Sequence, residues 1–158
     1  MITDMDLDRA VANLLAGYVS CLDKGAYEAW PDFFAPDAWY KIIPRENHDA
    51  GLPLSTLAMS GQGMMRDRIY GVQSTIFHAP YYQRHILGPT RITGRDGEIV
   101  TAETNYLVVR TKRDVPPDIL SVGVYFDRIE LHEDGPRFAE KLCVFDNDLI
   151  PNSLIYPI

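Results

Sequence analysis

Tyr18, Asp23 and His85 are the residues in this sequence best suited to proton transfer. A tyrosine hydroxyl can donate to a developing enolate, and a partly buried carboxylate or imidazole can move a proton near neutral pH. Together they fit a stand-alone isomerase or dehydratase working in a pocket. Each also has a plainer role: Tyr18 continues an apolar stripe, and Asp23 falls at a helix end, where solvated carboxylates are common. The four histidines, His48, His78, His85 and His132, form no His-x-x-His or His-Glu-x-x-His pair. Two histidines and a carboxylate can bind iron from distant positions, but ligand type alone does not make a site, so no metal is expected in this chain. Cys21 and Cys143 are isolated, with no Cys-x-x-Cys to hold zinc or an iron–sulfur cluster, and are expected as free thiols. Serine-nucleophile motifs, phosphate-binding glycine loops and dinucleotide fingerprints are absent, and Gly61-Gln62-Gly63 reads as a helix start.

A second set of residues fits contact rather than chemistry. Tyr81, Tyr82 and Arg84 form an aromatic and basic cluster of the kind favoured at interface cores. The stretch from Asp146 to Ile158 holds Asn152 and Tyr156 among Leu149, Ile150, Leu154 and Ile155. It is too apolar for a free terminus and too broken by Pro151 and Pro157 for a helix. Such a segment packs on its own domain or fills a groove on a partner. Tyr81, Tyr82, Arg84, Asp146, Asn152 and Tyr156 are therefore the candidate interface residues.

The elements that position these side chains follow from periodicity. Leu7, Ala10, Val11, Leu14, Leu15, Tyr18, Cys21 and Leu22 recur at spacings of three and four, which predicts a long first helix. Thr3 with Asp6 forms a candidate capping box, and Gly25 a stop. Short helical turns are expected around Pro31, then a strand at 39–43, a long loop over 45–60, and a helix carrying Met64, Met65, Ile69 and Val72, capped by Ser60. The period then falls to 2. A strand begins at Tyr82, is broken by Gly88-Pro89 and resumes at Arg91. Asp96-Gly97 is a hairpin signal. Strands near 98–111, 118–133 and 137–147 should be the longest. Leu120, Val122, Val124 and Phe126 alternate before the phase changes to Ile129 and Leu131, which places a bulge near Asp127-Arg128. Helices followed by long antiparallel strands make an α+β pattern. The order resembles the cone fold of nuclear transport factor 2 and ketosteroid isomerase, a curved antiparallel sheet packed on a long N-terminal helix.

With 158 residues, no repeats and no linker, one domain over 1–158 is expected. A net charge of -7 disfavours nucleic acid and anionic membranes as partners. No apolar run approaches a membrane span, and residues 1–6 do not read as a signal peptide, so a cytoplasmic protein is expected.

Several runs carry a resemblance: Trp30-Pro31-Asp32-Phe33-Phe34, residues 41–47, Tyr82-Gln83-Arg84-His85-Ile86-Leu87-Gly88-Pro89, Ala102-Glu103-Thr104-Asn105-Tyr106, Lys141 to Asp146, and Ile150 to Ile158. Across essentially the whole chain they resemble the small (beta) subunit of Rieske-type aromatic-ring-hydroxylating oxygenases, most of all those of salicylate 5-hydroxylases. The resemblance implies a non-catalytic subunit with no cofactor of its own. It implies a large-subunit partner carrying the Rieske [2Fe-2S] cluster and a mononuclear iron, in an assembly of three large and three small chains. Ferredoxin and reductase would act on that large subunit, and an aromatic acid such as salicylate would be the substrate. Two isolated cysteines agree, since a Rieske centre needs two Cys and two His ligands.

Overall fold

The structure, a computed structural model, describes residues 4–147 and 154–158. Helix α1 spans Asp4–Asp23 and buries Leu7, Val11, Leu14, Leu15, Tyr18, Cys21 and Leu22, the stripe the spacing predicts. Gly25 ends it in the left-handed region, with φ 71. There the Gly25 N–H donates to the Leu22 carbonyl and the Ala26 N–H to that of Cys21, which satisfies two carbonyls the helix end leaves open. Thr3, the expected cap, lies outside the described residues.

A 3-10 segment at Tyr27–Phe33 accommodates Pro31 and leads into strand β1, Phe34–Pro44. The expected 45–60 loop is more structured than its lack of period implied. It contains a short helix α2, Arg45–Asp49, and a strand β2, Leu57–Ser60, both too brief to show a repeat. Helix α3, Gly61–Ser74, buries Met65, Ile69 and Val72 but leaves Met64 exposed, and the Ser60 side chain makes no capping bond.

Four long strands follow: β3 Tyr82–Asp96, β4 Ile99–Thr111, β5 Asp118–His132 and β6 Gly135–Phe145. Gly88-Pro89 does not break β3. The register against β4 slips there instead, and β3, at 15 residues, equals β5 in length. Proline is tolerated because β3 is an edge strand, where a missing N–H costs no ladder bond.

The six strands form one curved, open sheet in the order β2-β1-β6-β5-β4-β3, antiparallel except for β1 against β6. Helix α1 packs inside the curve against β3 and β6, and α3 closes over β1. The α+β cone expected from the sequence is the fold observed.

The face assignment of β5 differs from the expectation. Its buried set is Leu120, Ser121, Gly123, Tyr125, Asp127, Ile129 and Leu131, while Val122, Val124 and Phe126 sit half-buried on the outer face. A register shift does fall at Arg128/Ile129, beside the expected bulge, but the extra residue belongs to β6, and a second shift lies near the start of β5. Ala139 of β6 is the extra residue opposite Arg128 and Ile129, and Leu120 is the extra residue against Val108 and Val109. Burying the apolar alternation is the ordinary solution. Here the polar phase faces inward, and the interior must satisfy it.

Candidate functional site

The polar phase of the sheet gathers inside the cone. Cross-strand pairing sets Tyr40 of β1 beside Lys141 of β6, Lys141 beside Asp127 of β5, and Cys143 beside Tyr125. The turn pairs His132 with Gly135, and the extra residue Ala139 then shifts the register by one, which sets Lys141 rather than Glu140 opposite Asp127. The Lys141 ammonium lies 3.0 and 3.2 Å from the two Asp127 carboxylate oxygens, with both side chains fully enclosed. It also lies 3.6 Å from the centroid of Tyr125, 4.4 Å from Phe138 and 4.6 Å from Tyr18. Burial raises the Asp127 carboxyl above its ordinary range, and the Lys141 charge works against that rise.

Above this pair the cone is occupied by the chain itself. Ile158 is fully buried, and its main-chain oxygen accepts from the Tyr18 hydroxyl at 2.6 Å and the Tyr40 hydroxyl at 2.9 Å. Its N–H donates to Tyr40 at 2.9 Å, and the Cys143 thiol stands 3.7 Å from its oxygen. Gln83 donates to the Pro157 carbonyl at 2.9 Å, and Arg68 to those of Leu154 and Ile155 at 2.9 and 3.1 Å. Residues 154–158 are thus tied to α1, α3, β1, β3 and β6 through their backbone oxygens.

Of the three candidate proton-transfer residues, the structure brings two together. Asp23, at the end of α1, accepts from the His85 backbone N–H at 3.1 Å and lies 2.6 Å from the His85 ring Nδ1. The His85 side chain is fully enclosed, which seals the pair from solvent. Tyr18 stands with Ile158 and not with them. Among the described residues, the clefts found are not lined by Tyr18, Asp23 or His85, as the isomerase or dehydratase alternative would require.

The candidate contact residues divide. Tyr81 and Tyr156 pack on one another, with ring centroids 4.8 Å apart, and Tyr156 stacks on Tyr27 at 4.6 Å. Tyr82 and Arg84 are largely exposed on the outer face of β3. Asp146 pairs with Arg45 at 3.1 Å. Asn152 lies outside the described residues.

Register continues the exposed face inward across the sheet, from Ile86 to Leu107 to Val122, with Phe126 opposite Leu142. His48 stacks on Phe126 at 5.2 Å, His78 meets the edge of Tyr156, and His132 pairs with Glu130. Among the described residues no group of three or more His, Cys, Asp or Glu could hold a metal ion, and both cysteines are free and buried. No helix among them is long and apolar enough to cross a membrane.

Sequence reasoning missed Tyr40, Gln83, Arg68 and the Asp127–Lys141 pair. The one available signal was the placement of Asp127 and Lys141 either side of a Asp-Gly turn.

The interior titrations give a pH prediction. Burial pushes the Cys143 thiol up to about 12, and pushes Tyr18, Tyr40, Tyr106 and Tyr125 above the ordinary phenol range. Each group binds its proton more tightly folded than unfolded, so its contribution is complete below the unfolded value, about 8.5 for Cys and about 10 for Tyr. That contribution is lost as pH rises through the folded value. Stability should hold through neutral pH and fall steeply in alkali, with tyrosinate absorbance appearing together with loss of the circular dichroism signal. Full tyrosine ionisation ahead of unfolding would contradict this burial.

A helix-lined cone of this order defines a class before any particular member of it. The SnoaL-like domain matches residues 3–141, and the chain belongs to that family. Its relatives there are small subunits of aromatic-ring dioxygenases. It is 34% identical over 142 residues to the small subunit of anthranilate 1,2-dioxygenase of Burkholderia cepacia, covering 89% of this chain and 88% of that one. It is 28% identical over 148 residues to the beta 2 subunit of the terminal oxygenase component of terephthalate 1,2-dioxygenase of Comamonas sp, covering 94% and 96%. A crystal structure assigned to the beta subunit of an aromatic-ring-hydroxylating dioxygenase from Novosphingobium aromaticivorans superposes with a TM-score of 0.89 at 34% identity, over 96% of this chain and 97% of that one.

Proposed function

We propose that the chain is the non-catalytic small subunit of a cytoplasmic Rieske-type oxygenase that hydroxylates an aromatic carboxylic acid. The large subunit, in a complex of three large and three small chains, would carry the [2Fe-2S] cluster and the mononuclear iron and receive electrons from ferredoxin and reductase. The observation that carries the reading is the occupied cone. Tyr18 and Tyr40 spend their hydroxyls on Ile158, and His85 is sealed against Asp23, so the fold's interior serves packing. The outer face of the sheet instead presents Tyr82, Ile86 and Ile119 to solvent.

The named substrates of the relatives, anthranilate and terephthalate, are both aromatic acids. Anthranilate is an ortho-substituted benzoate, as salicylate is, and salicylate is the substrate we assign first.

The test uses the chain purified without chelator. Iron should stay far below one atom per chain, and salicylate should not be consumed when ferredoxin, reductase and NADH are supplied. Adding the large subunit should start turnover. Iron near one atom per chain, lost on His78→Ala or His85→Ala, would overturn the reading.

A further inference from the structure

Strand β6 could meet β5 in either of two registers, and its apolar pattern does not choose between them. The turn pairs His132 with Gly135, and the ladder runs regularly as far as Ile129 opposite Phe138. Continued without interruption, it would set Glu140 opposite Asp127, Leu142 opposite Tyr125 and Val144 opposite Gly123. The observed ladder passes over Ala139 and sets Lys141 opposite Asp127, Cys143 opposite Tyr125 and Phe145 opposite Gly123. A shift of one residue exchanges the inner and outer side chains of a strand. Beyond Phe138, each register turns one charged residue and two apolar ones inward. What differs is the sign of the charge that meets Asp127.

We propose that the Asp127–Lys141 pair is a register lock: it selects the bulged pairing of β5 with β6, and so decides which side chains of β6 line the cone and which form the outer face. In the bulged register the Lys141 ammonium lies 3.0 and 3.2 Å from the Asp127 carboxylate oxygens, with both side chains fully enclosed. In the regular register that enclosed carboxylate would meet Glu140, and two buried carboxylates at one site cannot both stay charged without a large cost. A bulge leaves one residue unpaired and disrupts the ladder locally, and the charge match offsets that loss. On the outer face the same register lets Arg128 donate to Glu140 at 3.2 Å. It also sets Leu142 opposite Phe126, the ring on which His48 stacks at 5.2 Å. The choice passes to the next strand, since Tyr40 of β1 is paired with Lys141. A buried ion pair adds little net stability over apolar residues of similar volume, but fixing a register is the role for which such groups are best suited. The inference stands apart from the oxygenase reading, since it concerns the pairing of this chain's own strands.

Exchanging two neighbours tests the lock without altering composition. Glu140→Lys with Lys141→Glu moves the lysine by one position, so the regular register becomes the one that matches Asp127. Nuclear Overhauser contacts across the ladder should then join Phe126 to position 141, where the unaltered chain joins it to Leu142, a shift of one residue. Asp127→Leu with Glu140→Met and Lys141→Met removes the charges from both registers at similar volume. This second variant should fold without a unique register, giving two sets of β6 resonances and both contacts in one sample. It decides the matter if the exchanged variant does not fold. A folded exchanged variant that keeps the Phe126–Leu142 contact alone overturns the proposal. So does a charge-free variant that shows only the native set of resonances.

Discussion

Replacing Gly123 by alanine should cost about 3 kcal/mol or more and lower the melting temperature by roughly 6–12 °C. A Cβ at this position would lie 1.8 Å from the Val144 carbonyl oxygen, 2.8 Å from its carbon and 2.9 Å from the Phe145 Cα. All three are backbone atoms of β6, which cannot rotate away as a side chain could. Relief requires separating β5 from β6 where Gly123 pairs with Phe145 and where Tyr106 pairs on the other side. The Tyr106–Tyr125 stack, at 4.2 Å, would move with them. Gly63→Ala is the control: an added Cβ there meets nothing within 4 Å, and alanine is favoured inside a helix by roughly 0.5–1 kcal/mol. Thermal melts followed by circular dichroism compare the two. A loss below about 1 kcal/mol for Gly123→Ala, the ordinary effect of a substitution, would show that the strands do not approach this closely.

Lys141→Ala is the second large effect, expected to cost about 3–5 kcal/mol, because it strands the fully enclosed Asp127 carboxylate without its partner. It also empties the space among Tyr125, Phe138 and Tyr18. The double replacement Asp127→Leu with Lys141→Met removes both charges at similar volume and should recover most of that loss, since apolar substitutes for buried ion pairs are often neutral or better. Urea unfolding of Lys141→Ala and of the double variant separates the terms. If the double variant were as unstable as Lys141→Ala, the pair itself would be the source of stability and the argument from desolvation would be wrong.

The legible parts of the fold are those where one periodicity dominates. The α1 stripe, the Gly25 stop and the Asp96-Gly97 hairpin need only local chemistry, and each is found where the sequence places it. The face of β5 was not legible. Val122, Val124 and Phe126 form the more apolar alternation, yet Tyr125 and Asp127 turn inward, because Lys141, Tyr18 and Tyr40 on three other elements are there to meet them. Such satisfaction is tertiary and leaves no periodic trace. The same holds for the site: Asp23 and His85 were identified, but their closure against solvent depends on packing that spacing cannot report. The apolar character of residues 154–158 was evident, whereas their destination inside the cone follows from Tyr18, Tyr40, Gln83 and Arg68 together.

Assembly with a large subunit is the central claim, and co-elution tests it most directly. The chain is coexpressed with a Rieske large subunit, carrying the affinity tag on the large chain only, and the purified material is run on size exclusion with light scattering. The account predicts one complex with equal numbers of the two chains. It also predicts that Ile86→Glu, on the exposed outer face, weakens the complex while leaving this chain's melting temperature unchanged. An intact, folded small chain that never co-elutes with its large partner would contradict it.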